Sequence, residues 1–405
     1  MKVYIGIDWS EKKHDICFMN EKGEVMLEKQ IEHSLSGFIA FDQARRSLNV
    51  DVQDCYIGLE TAHNSLVDYL WEQGYTQITV LPPQAVKSAQ GRYRQSGAKD
   101  DRWDARLIAD ILRTDRHRFS LWKPDLALTR QIRAEVSFVV QLTKEQTRIG
   151  NRLRAVLLRY YPGVVETFGS MESPVFLAFL QAYPTAGEVQ ALDFEEFKAF
   201  LRSHHHTQLR TWPKLYASLH QDWPSPDPTV EAAYAPLAVS QAKILEQIVR
   251  SRIEALKRLD HLYQGHPDRV IYDSLPMAGV YLSTALLAKL GDDRQRFPTP
   301  AVLQAVAGTC PVTDRSGKHM HIFFRHACDH EFRQIVQQWA GLTLTSSPWA
   351  VAFYRSALAR GLSHNDAIRR LANRWLEILW RIWMDAKPYD EKFHLAQHYL
   401  RTKSR

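Results

Sequence analysis

Val3-Tyr-Ile-Gly-Ile-Asp8 is an apolar run ending on a carboxylate, and Cys55-Tyr-Ile-Gly-Leu-Glu60 repeats the arrangement further along the chain. Short apolar runs rich in β-branched and aromatic residues predict buried strands. A third stretch, Asp101-Arg-Trp-Asp104-Ala-Arg-Leu-Ile-Ala-Asp110, predicts a helix. Residues three apart on a helix share a face, so Asp101 and Asp104 can both aim at the strand ends carrying Asp8 and Glu60. Four hard oxygen donors converging on one place suit a Mg²⁺ or Mn²⁺ ion held against phosphate. One acid at a strand end more often only caps or solvates it; the ordered set of four carries the reading.

Around these motifs the first third alternates strands and helices. Asp15-Ile-Cys-Phe-Met and Val25-Met-Leu-Glu-Lys flank the turn Asn20-Glu-Lys-Gly23, which predicts a β-hairpin. Ser36 opens a helix through Arg45, and Ser65 to Gln73 forms another, stopped by Gly74. Ile78-Thr-Val-Leu is a strand ended by Pro82-Pro83, and Trp122-Lys-Pro124 closes the unit. Three antiparallel-type strands, helix, strand, helix, strand and acidic helix is the order of an α/β RNase H-like (RuvC-like) domain, placed at 1–122.

The middle, 123–268, is helical. Leu128–Tyr160 carries Ile132, Val136, Val139, Leu142, Ile149, Leu153 and Leu157 at spacings of three, four and seven. Thr229–Tyr263 repeats the pattern through Leu237, Ile244, Ile248, Leu256 and Leu259, which suggests an antiparallel hairpin or an intermolecular coiled coil. Between them 162–228 reads as a separate helical insertion. Its His204-His205-His206 run could bind a metal, though such runs more often lie on solvated surface.

The last region, 269–405, is mainly α. Ser274-Leu-Pro-Met-Ala-Gly279, followed by an apolar helix to Gly291, reads as a helix-hairpin-helix-like element, in which backbone N–H groups grip a phosphate. From Gly308 the chain reads as irregular through Ser316-Gly317, then extended over His319–Arg325. A final helix, Asn365–Trp380, sets Arg369, Arg370 and Arg374 among apolar positions, as either a phosphate-facing helix or a solvated basic face would. Further candidate phosphate contacts are Lys99, Arg102 and Arg106 beside the paired aspartates, Gly279 at the turn, and Arg315, Lys318 and Arg325 around Ser316.

Composition bounds the function without deciding it. The chain has 405 residues, 52 Lys+Arg against 45 Asp+Glu, and 45% hydrophobic residues. The mild basic excess is compatible with a nucleic-acid partner. Cys17, Cys55, Cys310 and Cys328 show no paired spacing, which points to a reducing compartment. The N-terminus is expected to start directly on a strand with no signal peptide, and no apolar run reaches the ~18–20 residues of a membrane helix. A soluble, cytoplasmic protein is the expectation.

Jointly the motifs resemble the DEDD-type transposases of the insertion-sequence one-ten family, with its one-one-one-one subgroup. Gly6-Ile-Asp8-Trp-Ser-Glu-Lys-Lys-His-Asp-Ile is similar to that family's opening strand. Gly58-Leu-Glu60-Thr-Ala-His resembles its second acidic motif, and Lys99-Asp-Asp101-Arg-Trp-Asp104-Ala-Arg106 its paired-aspartate helix. Ser274–Asp292 and Ala307-Gly-Thr-Cys-Pro311 through Ser316-Gly317 resemble its C-terminal transposase domain. The resemblance implies a bridge-RNA-guided recombinase acting on donor and target DNA. It implies Ser316 as nucleophile, a covalent 5′-phosphoserine, a Mg²⁺ or Mn²⁺ site at Asp8, Glu60, Asp101 and Asp104, and dimers pairing into a tetramer. A plain metal-dependent nuclease and a non-catalytic RNA- or DNA-binding scaffold are the rival expectations. This chain departs from the family pattern at Met277, where a glycine is usual. Its histidine-rich segment His319, His321, His326, Cys328, His330 reads as phosphate-contacting, with zinc as the lesser alternative.

Overall fold

The computed structural model of the protein describes residues 1–62, 64–90, 101–224, 227–316 and 319–395, excepting the side chains of Asp101, Arg102, Ser316 and His319. The chain is mixed α/β and mostly helical, with one five-stranded sheet. Two compact units form: Met1–Asp125 with Asp293–Pro298, and Leu126–Asp292 with Thr299–Arg405.

The first unit is built on β1 (Val3–Trp9), β2 (Lys13–Asn20), β3 (Val25–Glu32), α1 (Leu35–Ser47), β4 (Cys55–Leu59), α2 (Ser65–Glu72), β5 (Ile78–Val80), α3 (Pro83–Gln90) and α4 (Asp101–Asp115). The sheet order is β3-β2-β1-β4-β5, with β1, β2 and β3 antiparallel and β4 and β5 parallel to β1. Alternation assigns the two faces. Val3, Ile5, Ile7, Cys55, Ile57 and Leu59 join the core on the α1 and α2 side. Tyr4, Cys17 and Met19 pack with Ala105, Ile108, Ala109 and Leu112 of α4 on the other. The serine that caps α1 is Ser34, whose side chain accepts the Gly37 N–H two residues ahead of Ser36. The strand ended by Pro82-Pro83 leads directly into a further helix, α3, whose N-terminal proline suits a first helical position.

The second unit is dominated by α5 (Ala127–Tyr160), followed by α6 (Pro162–Phe168), α7 (Pro174–Ala182), α8 (Ala186–Gln190), α9 (Phe194–Ser203), α10 (Trp212–Leu219) and α11 (Pro228–Gln264). The Arg258 Nε to Glu135 Oε1 pair at 2.9 Å and the Arg252 Nε to Thr143 Oγ1 bond at 3.1 Å fix α5 and α11 as an antiparallel hairpin within one chain. The phase expected for α11 was wrong in part. Ala235, Ala238, Ala242, Leu245, Ala255 and Leu259 are buried, whereas Leu237 and Ile244 are half exposed. Alanines let two helix backbones approach closely, and the bulkier residues turn outward. The 162–228 insertion has no separate core: Phe176, Phe179 and Phe197 pack with Leu153 and Leu157 of α5 and Leu245 of α11.

The chain then runs through α12 (Arg269–Asp273), α13 (Gly279–Leu290), α14 (Pro300–Val306), β6 (Val312–Ser316), β7 (His319–Phe323), α15 (His330–Thr343), α16 (Pro348–Ala359) and α17 (His364–Met384). Trp339, Trp375 and Trp383 are fully buried and anchor this helical layer. The segment before Ser316 is not irregular. β6 and β7 pair as an antiparallel ribbon with Ser316 registered to His319. Among the described residues no helix is long and apolar enough to cross a membrane.

Candidate active site and nucleic-acid interface

Ile7 and Leu59 are the last registered pair of the parallel strands β1 and β4. Asp8 and Glu60 follow them immediately, so both acids stand at neighbouring carboxyl ends of the sheet. Strand order changes direction between β1 and β4, and in open α/β sheets such a point is where ligands bind. Asp8 is half-buried and Glu60 exposed.

The glycine two residues before each acid decides how close α4 comes. A Cβ at Gly6 would stand 1.9 Å from the Ala105 carbonyl oxygen and 2.5 Å from the Ala109 nitrogen. At Gly58 it would stand 2.7 Å from Leu112 Cδ1 and 2.9 Å from Ile108 Cγ2. Residues two apart on a strand point to the same face, so Asp8 and Glu60 emerge on the side where α4 lies. Asp104 is half-buried in the first turn of α4, immediately before Ala105. Asp101 is the first residue of α4, and its side chain lies outside the described set.

Carboxylate oxygens suit a hard divalent cation. Among the described residues no group of three His, Cys, Asp or Glu side chains is gathered closely enough to hold a metal. Asp15, which sequence reading did not single out, is registered opposite Asp8 and accepts from Gln30 Nε2 at 3.1 Å. Its signal was hairpin register, which strand patterning alone does not fix.

Behind this sheet end, His14 is fully buried. Its Nε2 lies 2.9 Å from His33 Nδ1, and His33 Nε2 lies 3.0 Å from Ser65 Oγ. Burial, with His33 beside it, pulls the His14 pKa down to about 4. Its Nδ1 is buried without a hydrogen-bond partner.

In the second unit Ser316 ends β6, and Arg315 is exposed beside it, registered to Met320. Arg325 Nε donates to the Cys310 carbonyl at 3.3 Å, tying down the base of the ribbon. Phe324 is overlaid by two guanidiniums, Arg333 at 4.5 Å and Arg369 at 4.8 Å. Arg369 also pairs with Asp366 and Arg374 with Glu377, each three residues away, while Arg370 is exposed. Gly279 opens α13 at φ +57° with open space where a side chain would go. Arg106 is paired with Glu28 on β3. Lys99, Asp100, Gly317 and Lys318 lie outside the described residues, as does the Arg102 side chain.

The histidine clusters are engaged with aromatic rings. His204 packs on Phe200 at 4.3 Å, and Trp212 Nε1 donates to His206 Nδ1 at 2.8 Å. His326 meets Phe324 edge-on, and Arg333 donates to Cys328 Sγ. All four cysteines are free, and burial pushes the Cys17 and Cys55 thiols up to about 12.

A model of DEDD transposases of the IS110 type matches residues 5–162, and one described as the transposase IS116/IS110/IS902 family matches residues 271–355. The chain belongs to the IS110 family of DEDD transposases and is a DNA transposase enzyme. It is similar to the mini-circle protein of IS117 from Streptomyces coelicolor, 26% identical over 97% of this chain and 96% of that one. The 43.6 kDa protein of insertion element IS110 from the same species is 25% identical over 96% of each chain. The 42 kDa protein of IS900 from Mycobacterium paratuberculosis is 22% identical over 96% of this chain and 97% of that one.

Proposed function

We propose that this transposase is RNA-guided and cuts DNA through a serine nucleophile. The Ser316 Oγ–P bond forms as the P–O3′ bond of a phosphodiester breaks; the serine proton passes to solvent and the departing 3′-oxygen takes one up, leaving a free 3′-OH and a 5′-phosphoserine. Asp8, Glu60, Asp101 and Asp104 would hold Mg²⁺ or Mn²⁺. When bound, the ion supplies charge stabilisation at the phosphate and leaving oxygen. Because the covalent link conserves the phosphodiester energy, strand exchange needs no nucleotide hydrolysis.

The observation that carries the metal half is the placement of Asp8 and Glu60 one residue beyond a registered parallel pair, on the face α4 approaches. Donor and target DNA would be chosen by base pairing to a non-coding RNA, the protein reading backbone and shape. Regions 1–122, 123–268 and 269–405 would serve as metal, assembly and nucleophile regions of a protein working at the bacterial nucleoid. Half-exposed Leu237 and Ile244, seven apart on α11, favour association of copies into dimers and tetramers.

Strand exchange on DNA carrying the element's ends, with co-purified RNA, tests this reading. Ca²⁺ should permit assembly and Mg²⁺ should start the reaction, because Ca²⁺ holds its ligands too loosely for the chemistry. Asn at Asp8, Glu60, Asp101 or Asp104 should abolish exchange, while Asn at Asp100 should be tolerated. Full activity in excess EDTA overturns the four-carboxylate site, and water-cleaved products without strand exchange favour a plain nuclease.

A further inference from the structure

The protein has eleven tryptophans, and only two of them, Trp9 and Trp103, are exposed, each at 37%. Trp9 directly follows Asp8 and Trp103 directly precedes Asp104. Burial normally claims an indole because it removes a large apolar surface from water. These two keep about a third of their surface in water, each next to a carboxylate of the candidate site, and so present a flat apolar face there.

Both rings are backed on one side. Trp9 stacks on His14 at 6.2 Å between centroids with 22° between planes, and His33 meets it edge-on. His14 is in turn held through His33 to Ser65. Trp103 carries the Arg106 guanidinium 5.8 Å from its ring centre, and Arg106 is fixed by Glu28. An aromatic plane whose orientation is already set loses little freedom when it receives a partner. By strand alternation Trp9 stands on the α1 face of the sheet with Ile5 and Ile7, while Trp103 lies in the first turn of α4, which packs on the other face; each ring adjoins one candidate carboxylate along the chain.

We propose that Trp9 and Trp103 are stacking platforms for unpaired DNA bases on either side of the phosphate presented to the carboxylates. The inference rests on the transposase reading of that site and adds its substrate form. A base inside a duplex offers no free face, so stacking here requires nucleotides splayed or unpaired next to the scissile phosphate. The protein would thus act on an opened DNA strand.

The test uses the full chain in Ca²⁺ with a single-stranded thymidine oligonucleotide carrying one 2-aminopurine, its duplex, and the RNA strand of the same sequence. Indole fluorescence and 2-aminopurine fluorescence both report stacking. Trp9→Leu and Trp103→Leu should each weaken single-strand binding about tenfold, and the double variant about a hundredfold. Trp9→Phe and Trp103→Phe should retain most of it, and duplex binding should be little changed. Leucine variants that bind and exchange strands like the wild type overturn the proposal, and so does dependence on the indoles for the RNA strand only. A protein that stacks DNA bases through both indoles, yet never exchanges strands in Mg²⁺, contradicts the functional reading and leaves the stacking assignment standing.

Discussion

Gly6 and Gly58 are registered partners on the parallel strands β1 and β4, and α4 lies against both. Each precedes its acid by two residues, so one pair of missing side chains sets the distance between the paired-aspartate helix and the two strand-end carboxylates. The Gly-x-Asp and Gly-x-Glu repeats encode a close helix–sheet approach as well as the acids themselves.

Gly6→Ala should therefore cost more than Gly58→Ala. At Gly6 the added methyl meets backbone atoms of α4, which cannot rotate away. The penalty should lie at or above the top of the usual range of about 1–3 kcal/mol for overpacking, with exchange activity lost. At Gly58 it meets the side chains of Leu112 and Ile108, which can shift, and a partly active protein is expected. Thermal denaturation and strand-exchange rates of the two variants, compared side by side, check the order.

Acid should loosen the first unit through His14. Its folded pKa, about 4, lies below the ordinary 6.5, so between these values the unfolded chain binds a proton that the folded chain excludes. Stability from this group is present above pH 6.5 and is lost progressively as pH falls towards 4. His33, Trp9 and Phe38 face His14, and none supplies a negative charge to offset the cation. The melting temperature of His14→Gln should fall less steeply over this window than that of the wild type; parallel curves would remove His14 as the cause.

Met277 sits at φ +58°, a left-handed conformation that costs a non-glycine residue roughly 1–2 kcal/mol. Its side chain is 48% exposed and offers little packing in return. Met277→Gly should raise stability by about 0.5–1 kcal/mol after the entropy that glycine loses on folding. Denaturant midpoints measure it, and a destabilised variant would mean the side chain has an unrecognised partner.

Much of the fold was legible because period and punctuation agree. The two long helices were read to within a residue or so at each end, and the β2–β3 hairpin followed from Asn20–Gly23. What escaped depended on partners. Nothing local says that Ala238 and Ala242, rather than Leu237 and Ile244, should face α5, since only a close neighbour makes alanine the better interior residue. The β6–β7 ribbon escaped because Thr313, Asp314 and Arg315 are exposed and supply no apolar alternation. Asp8 and Glu60 at strand ends and Asp104 in the first turn of α4 stand on the elements their local patterns suggest, whereas Asp15 and the two exposed indoles needed register and burial to emerge.

Cleavage of DNA through Ser316, with the help of the carboxylate site, would leave one direct signature, a covalent protein–DNA adduct. The most direct measurement is denaturing electrophoresis and peptide mass spectrometry of full-length protein incubated with end-labelled element DNA and its co-purified RNA in Mg²⁺. A covalent adduct joining the 5′-phosphate to the Ser316 peptide is the expected result. The adduct should be absent in Ser316→Ala, whose nucleic-acid binding persists, and absent in EDTA. An adduct on another residue, or strand exchange undiminished in Ser316→Ala, would contradict it.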